Sequence, residues 1–442
     1  MKSIIDTDLR HHWHPASQMK DYETLKPLPI ESAKGVYLKL TNGEKVIDAI
    51  SSWWCKSLGH NHPRLKKALL KQVDQFEHVI GTNTCNRTLA KLSEKLGTMT
   101  KTLSKVFYAG DGSSSVEIAM KMSLHSRQIT GEAGRYKFIA LKNSYHGETL
   151  LALSASNLQK YRQPYEKIAV PVLFIPNIPY VASREDPLWK DCSVVWPKIE
   201  AFLNQHANNL TAIIVEPIVQ GAGGMRIYSQ DFLKRLREWT LRQGIHLIAD
   251  EIMTGIGRTG LPLACQHSDI EPDFICLSKG LTSGWLPFSA VLILESIYQL
   301  FYDDYRAGKN FLHSHTFSGN ALGAAVALET LHIMEEEGVY EKAMLLETVL
   351  KELMEKVAQD TGVLKSIRNL GGIVVADLSV ENADPSRRYG FEIFSHALDL
   401  GAFLRPLGNT IYWLPPLNIN INELEKLADI TQKSIQNTMR RR

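Results

Sequence analysis

The chain has 442 residues, 44% of them hydrophobic and 22% charged, with a formal net charge of +3. This is the composition of a globular protein long enough for two or three domains, and it excludes a disordered or fibrous chain. The basic residues form no stripe apart from a solvated end at residues 440–442, which argues against a nucleic-acid partner, and no apolar run reaches the length of a membrane span.

The opening residues M-K-S-I-I-D-T-D lack the apolar core of a leader, so a cytoplasmic protein without membrane attachment is expected. Cys55, Cys85, Cys192, Cys265 and Cys276 include no C-x-x-C pair, which predicts reduced, packed thiols and neither a disulfide framework nor a metal site. Asn42-Gly43 separates two strand-like runs, residues 37–40 and 45–50, and predicts a hairpin. The following S-S-W-W places two large rings in a Ser/Gly-rich loop, where they either plug a domain interface or wall a pocket. His60, His62 and His78 lack metal-ligand spacing.

From about residue 76 strands and helices alternate. A short strand at 106–109 runs into G-D-G-S-S-S-V-E and a helix, with Ser114 and Glu117 spaced as a capping box. Free backbone N–H groups and the positive end of the dipole at such a helix start suit a phosphate, although the turn has neither Walker nor G-x-G-x-x-G spacing. Residues 137–141 form a second strand that ends close to N-S-Y-H-G, bringing Tyr145 and His146 to a strand end. Residues 164–197 are proline-rich and read as a long irregular surface excursion. A strand at 211–215 ends on Glu216-Pro217, and a helix over 231–242 stops at Gly244.

The chain is organised around residues 243–284. Apolar runs at 245–249 and 274–277 have the length and composition of buried parallel strands; Asp250 ends the first and Lys279 follows the second. In an open α/β sheet both side chains would face one crevice beyond the carboxyl ends of the strands. An amine and a carboxylate so placed suit pyridoxal phosphate, which needs a lysine for its Schiff base and an acid beside its ring nitrogen. Further on come a strand at 290–294, the stretch F-L-H-S-H-T-F-S-G-N, helices over 321–337 and 341–359, and a region read as strand 371–378, helix 391–400, strand 402–414 with a turn at Gly408, and helix 421–436. The division expected is residues 1–75 as the first part of a small α+β domain, 76–330 as a large α/β domain with a mostly parallel sheet flanked by helices, and 331–442 as the rest of the small domain.

Gly112-Ser113, Tyr145-His146-Gly147, Glu216-Pro217, Asp250-Glu251, residues 255–258, Ser278-Lys279-Gly280 and Thr316-Phe317, in this order and spacing, resemble the class III aminotransferases of PLP fold type I. Within that family S-S-W-W, H-N-H-P, E-P-I-V-Q-G-A-G-G-M, the A-D-E-I run and L-R-P-L-G-N resemble the branch that aminates 8-amino-7-oxononanoate in biotin biosynthesis. The resemblance implies pyridoxal 5'-phosphate as cofactor, S-adenosyl-L-methionine as amino donor, ping-pong transamination and a homodimer. It also implies roles. Lys279 carries the cofactor and moves protons, Asp250 pairs with the ring nitrogen, Gly112 and Ser113 hold the phosphate, and Tyr145 lies against the ring and the substrate. Thr316 reaches the phosphate of the neighbouring subunit, His315 joins the cofactor-binding residues and Ser314 the substrate-binding ones, Trp53 lines the slot for the methylene chain, and Arg405 takes the distal carboxylate.

Three positions depart from the pattern of the branch. Ala16 stands where members using adenosylmethionine have tyrosine, Ser314 replaces a glycine and His315 a proline. His315, M-K-D-Y-E and F-Y-D-D-Y are similar to a branch that takes lysine as donor. Other class III enzymes for 4-aminobutyrate, ornithine or diamines share Lys279, Asp250 and the phosphate turn, and a nucleotide-binding α/β protein would use the Gly112 turn alone.

Overall fold

Seven strands form the central sheet of a computed structural model that describes residues 3–440. Their order is Lys105–Ala109, Ser289–Ile293, Phe274–Leu277, His246–Asp250, Leu210–Val215, Lys137–Leu141 and Val172–Ile175. Only Ser289–Ile293 runs against its neighbours; the pairings from Phe274–Leu277 across to Val172–Ile175 are parallel. Leu210–Val215 and Phe274–Leu277 are buried along their whole length, as strands covered by helices on both faces must be. No helix among the described residues is long and apolar enough to cross a membrane.

The hairpin forms where Asn42-Gly43 predicts it, pairing Tyr37–Leu40 with Lys45–Asp48. Its second strand stops at Asp48, short of Ile50, because the chain turns sharply there. The strand Ala402–Phe403 joins this sheet in parallel beside Lys45–Asp48. A second antiparallel sheet, Leu364–Leu370, Ile373–Leu378 and Thr410–Trp413, lies against the helix Val339–Thr361, and its Trp413 Nε1 donates to Thr431 Oγ1 of the helix Ile421–Arg440 at 3.1 Å. The expected single strand over 402–414 is therefore two strands in different sheets. The break between them holds Arg405, in the left-handed region at φ 42°, and carries it out of both sheets.

Two other expectations change. Residues 164–197 are not an irregular excursion, since they supply the sheet's edge strand and bury Ile175, Val181, Trp189 and Trp196. Their prolines sit where no ladder hydrogen bond is lost: Pro171 and Pro176 flank the edge strand, while Pro187 and Pro197 open helices. The helix Gly112–Ile129 is capped by Asp111, whose side chain accepts from the Ser114 amide, and not by Ser114 with Glu117. Glu117 instead accepts from the amides of Leu151 and Ala152. Of the cysteines, Cys192, Cys265 and Cys276 are buried, Cys55 is half-buried and Cys85 is exposed. Of the basic end, Arg441 and Arg442 lie outside the described residues, as do Met1 and Lys2 of the opening segment.

Candidate active site

The carboxyl ends of the parallel strands open into a cleft of about 270 Å³ that gathers Trp53, Gly112, Ser113, Tyr145, Asp250, Lys279 and Arg405 along its walls. Asp250 ends its strand pointing into the cleft, and the next residue, Glu251, faces the opposite way, where its carboxylate accepts from the amides of Ala264 and Cys265 at 2.6 and 2.8 Å. Lys279 follows its strand at φ 41°, and its Nζ lies 4.6 Å from the centre of the Trp54 ring. Burial lowers the Lys279 pKa, against the opposing pull of Asp250 and Glu216. A lysine so tuned is a better nucleophile and proton carrier near neutral pH than one in water.

Asp250 is buried and holds two partners. His146 Nδ1 lies 2.8 Å from its Oδ2, and the Ile252 amide donates to Oδ1 at 3.2 Å. The other ring nitrogen of His146, Nε2, is buried and has no partner among the described residues. Glu216 ends the neighbouring strand and accepts from the amides of Tyr145 and Gly221 at 3.0 and 2.9 Å, bracing two loops of the cleft. Burial, reinforced by Asp250, raises its pKa to about 7, and His146 and the two amides counter only part of that shift. Tyr145 donates to Glu148 Oε1 and meets Tyr161 edge-on at 5.8 Å. Burial, then Glu148, pushes its phenol well up.

The end of the cleft at Gly112 and Ser113 is built by close backbone approach. Gly147 sits at φ +122°, where a Cβ would fall 2.1 Å from Ser113 Oγ. A Cβ on Gly112 would fall 2.8 Å from Ile252 Cδ1. Side chains are thus kept away from the start of the Gly112–Ile129 helix, where the Gly112 and Ser113 amides and the helix dipole favour an anion. An anion-binding helix start, a carboxylate and a buried lysine around one apolar-walled slot match the donor set that pyridoxal phosphate needs.

The opposite wall rests on a turn of unusual hand. Ser51, Ser52, Trp53 and Trp54 have φ of 51°, 45°, 72° and 71°, one turn of left-handed helix closed by Trp54 N to Ile50 O and Cys55 N to Ser51 O at 2.8 and 2.9 Å. For non-glycine residues this hand costs roughly 1–2 kcal/mol each, so tertiary contacts must hold it. They include Ser51 Oγ donating to Leu414 O and Trp54 Nε1 donating to Tyr412 Oη. Both tryptophans line the cleft, and one of them also plugs an interface. Trp54 is 5% exposed, plugging the junction with Tyr412, while Trp53 is 41% exposed and carries the Arg405 guanidinium 4.2 Å above its ring. Arg405 also donates to the carbonyl of Ala16 at 3.1 Å.

Ser314, His315 and Thr316 lie away from this cleft, on an exposed stretch with Leu312 and Phe317. His78 Nε2 bonds Thr316 O at 2.8 Å, and His315 lies 3.2 Å from His313, so one chain alone does not bring these residues to Lys279. Sequence reasoning assigned no role to His146 or Glu216, although both stand at strand ends, the signal that located Asp250. At the surface Asp8, His12 and His14 bring possible ligand atoms within 4.8 Å of one another, linked by His–carboxylate contacts.

The Aminotransferase class-III family model matches residues 18–435. The adenosylmethionine-8-amino-7-oxononanoate aminotransferase of Helicobacter pylori is 38% identical over 96% of this chain and 96% of its own length. The enzyme of that name from Geobacter sulfurreducens is 34% identical over 98% and 97%. The crystal structure of adenosylmethionine-8-amino-7-oxononanoate aminotransferase from Methanocaldococcus jannaschii superposes with a TM-score of 0.90 at 31% identity, covering 98% of each chain. Matched by the family model over residues 18–435 and by these relatives along nearly its whole length, the chain belongs to the class III aminotransferase family.

Proposed function

We propose that the chain transfers an amino group to 8-amino-7-oxononanoate, giving 7,8-diaminononanoate for biotin biosynthesis, with S-adenosyl-L-methionine as donor and pyridoxal phosphate as cofactor. The observation that carries this reading is the shape of one cleft. Lys279 and Asp250 line it together with Trp53 and the Arg405 guanidinium stacked on that ring. A substrate that paired its carboxylate with the arginine and laid its methylene chain on Trp53 would turn its far, carbonyl end toward the cofactor beside Lys279, which is the build of the proposed acceptor.

Pyridoxal phosphate, when bound, accepts the donor's amino group and passes it to the acceptor carbonyl. Gly112 and Ser113 would hold its phosphate by backbone amides, Asp250 would keep its ring nitrogen protonated, and Tyr145 would lie against its ring. Lys279 Nζ carries protons to and from the substrate carbon that faces it, and its lowered pKa supports that role. His146 orients Asp250, as second partners of buried carboxylates do. Trp53 excludes water from the methylene chain, and Arg405 pairs with the distal carboxylate. A homodimer in which Ser314, His315 and Thr316 of the partner subunit close the phosphate end accounts for polar residues left on an exposed stretch beside Leu312 and Phe317, 86% and 63% exposed. The division into a large domain over 76–330 and a small one from both ends fits the pairing of Ala402–Phe403 with Lys45–Asp48.

The test is an absorbance titration of the cofactor-loaded protein. The visible band is expected to bleach with S-adenosyl-L-methionine, to return with 8-amino-7-oxononanoate, and to be lost or displaced in Lys279→Ala. Bleaching by lysine alone would change the donor, and a protein bleached only by 4-aminobutyrate or ornithine would lose this assignment.

A further inference from the structure

The turn that carries Trp53 and Trp54 is held from below by a residue outside the cleft. Asp48 ends the strand Lys45–Asp48, is 1% exposed, and its own amide donates to Val36 O, so its backbone is fixed by the sheet. Its Oδ1 accepts from the Ser52 amide at 2.9 Å, and its Oδ2 accepts from Ser52 Oγ at 2.6 Å. His60 Nε2 lies 2.8 Å from the same Oδ2. His60 is itself pinned by a two-way backbone bridge to Gly35. The three groups do not make a nucleophile, because His60 presents one nitrogen to both Asp48 and Ser52 and the serine proton goes to the carboxylate. What the carboxylate does is grip the second residue of the left-handed turn by both its amide and its hydroxyl.

We infer that Asp48 is a positioning residue for substrate: by clamping Ser52 it holds the left-handed turn that sets Trp53 beneath Arg405, and so fixes the distance between the carboxylate-binding end of the cleft and Lys279. The inference rests on the reading that Trp53 and Arg405 receive the acceptor's chain. Four successive non-glycine residues at positive φ relax toward the ordinary right-handed region unless they are held. Ser51 and Trp54 are anchored to Leu414 and Tyr412, whereas the Ser52 amide and hydroxyl are held by Asp48, with a longer hydroxyl contact to His60 and the Ser52 carbonyl accepting from the Cys55 thiol at 3.0 Å; among the described residues the Trp53 indole N–H has no hydrogen bond. Loss of the clamp therefore frees the middle of the turn first, where Trp53 sits, and leaves the phosphate end of the cleft untouched. Asparagine at position 48 keeps one acceptor oxygen, so it cannot accept from the Ser52 amide through one terminal atom and from the Ser52 hydroxyl and His60 through the other.

The experiment measures nonanoate binding to the cofactor-loaded enzyme by calorimetry, with cofactor affinity and steady-state kinetics alongside. Asp48→Asn is expected to weaken nonanoate at least tenfold and to raise KM for the amino-keto acid by a similar factor, with kcat within threefold and cofactor affinity within twofold of wild type. Ser52→Gly added to Asp48→Asn is expected to recover most of the loss, because glycine adopts the left-handed conformation without a clamp. If Asp48→Asn does not fold, Ser52→Ala, which removes only the hydroxyl contact, decides by a several-fold weakening of nonanoate. Unchanged nonanoate binding in these variants, a parallel loss of cofactor affinity, or no recovery with glycine would overturn the inference. Failure of the wild-type enzyme to bind nonanoate would overturn the acceptor reading itself.

Discussion

His146 donates through Nδ1 to Asp250 Oδ2 at 2.8 Å, with both side chains buried at the floor of the cleft. A buried carboxylate stripped of such a partner loses both orientation and charge stabilisation. His146→Leu is expected to weaken pyridoxal phosphate binding about 10–100-fold, the range found when second partners of ligating groups are removed. Titration of the apoprotein with cofactor, followed by absorbance, measures it; an unchanged affinity would show that Asp250 keeps its place without the histidine.

Gly147 offers a sharper test of the phosphate end. A Cβ there meets Ser113 Oγ at 2.1 Å and must also adopt φ +122°. Gly147→Ala is expected to push Ser113 from the helix start and to lower cofactor affinity at least tenfold, with a fall in melting temperature as well. Gly131→Ala is the control, since it is also at positive φ but has nothing within 4 Å of the new Cβ, so it carries the backbone cost alone.

Arg405 should separate charge from shape. Arg405→Ala is expected to raise the acceptor KM about 100-fold, in line with the loss of a charge-assisted pair worth about 1.5–3 kcal/mol. Arg405→Lys keeps the charge but neither the paired donors nor the flat face over Trp53, and is expected to fall between the two. Equal kinetics for lysine and arginine at this position would reduce the role to a point charge.

Glu251 makes stability depend on pH. Burial raises its pKa from 4.5 to about 7, the amides of Cys265 and Ala264 opposing part of the shift. The folded protein thus holds this proton more tightly than the unfolded chain. The stabilisation is complete below the ordinary carboxylate pKa and is lost as pH rises through about 7. The swing is on the order of 3 kcal/mol for a shift of this size. Melting temperature measured from pH 5 to 8 should fall, and Glu251→Gln should flatten that fall; an identical slope in the variant would place the proton elsewhere.

The chemistry-bearing strand ends are legible from sequence because apolar runs of four to six residues mark buried strands, and Asp250 and Lys279 stand where such runs stop. The edge strand Val172–Ile175 is not, because prolines on both sides disguise it as loop and its pairing to Lys137–Leu141 is set by distant packing. Ser114 and Glu117 have the spacing of a capping box, yet Asp111 is better placed and wins the helix start. The left-handed turn has no sequence signature at all, since serine and tryptophan do not favour positive φ; it exists because Asp48, Leu414 and Tyr412 surround it. The same gap hides how Trp53 and Trp54 part company.

The pairing of Ala402–Phe403 with Lys45–Asp48, and of Ser51 with Leu414, sets a timetable for synthesis. The hydrogen bond from Ser51 closes across 363 residues, and at about 5–20 residues per second the ribosome needs roughly 20–70 s to deliver the second partner. For that interval the Lys45–Asp48 edge and the tryptophans beside it have no native cover, and the nascent chain offers an open strand to whatever lies near. Aggregation during expression should therefore be governed by the roughly four-fifths of the translation period that pass between Ser51 and Leu414, and a helper that shields the amino-terminal hairpin should raise the yield more than one that acts on the finished polypeptide.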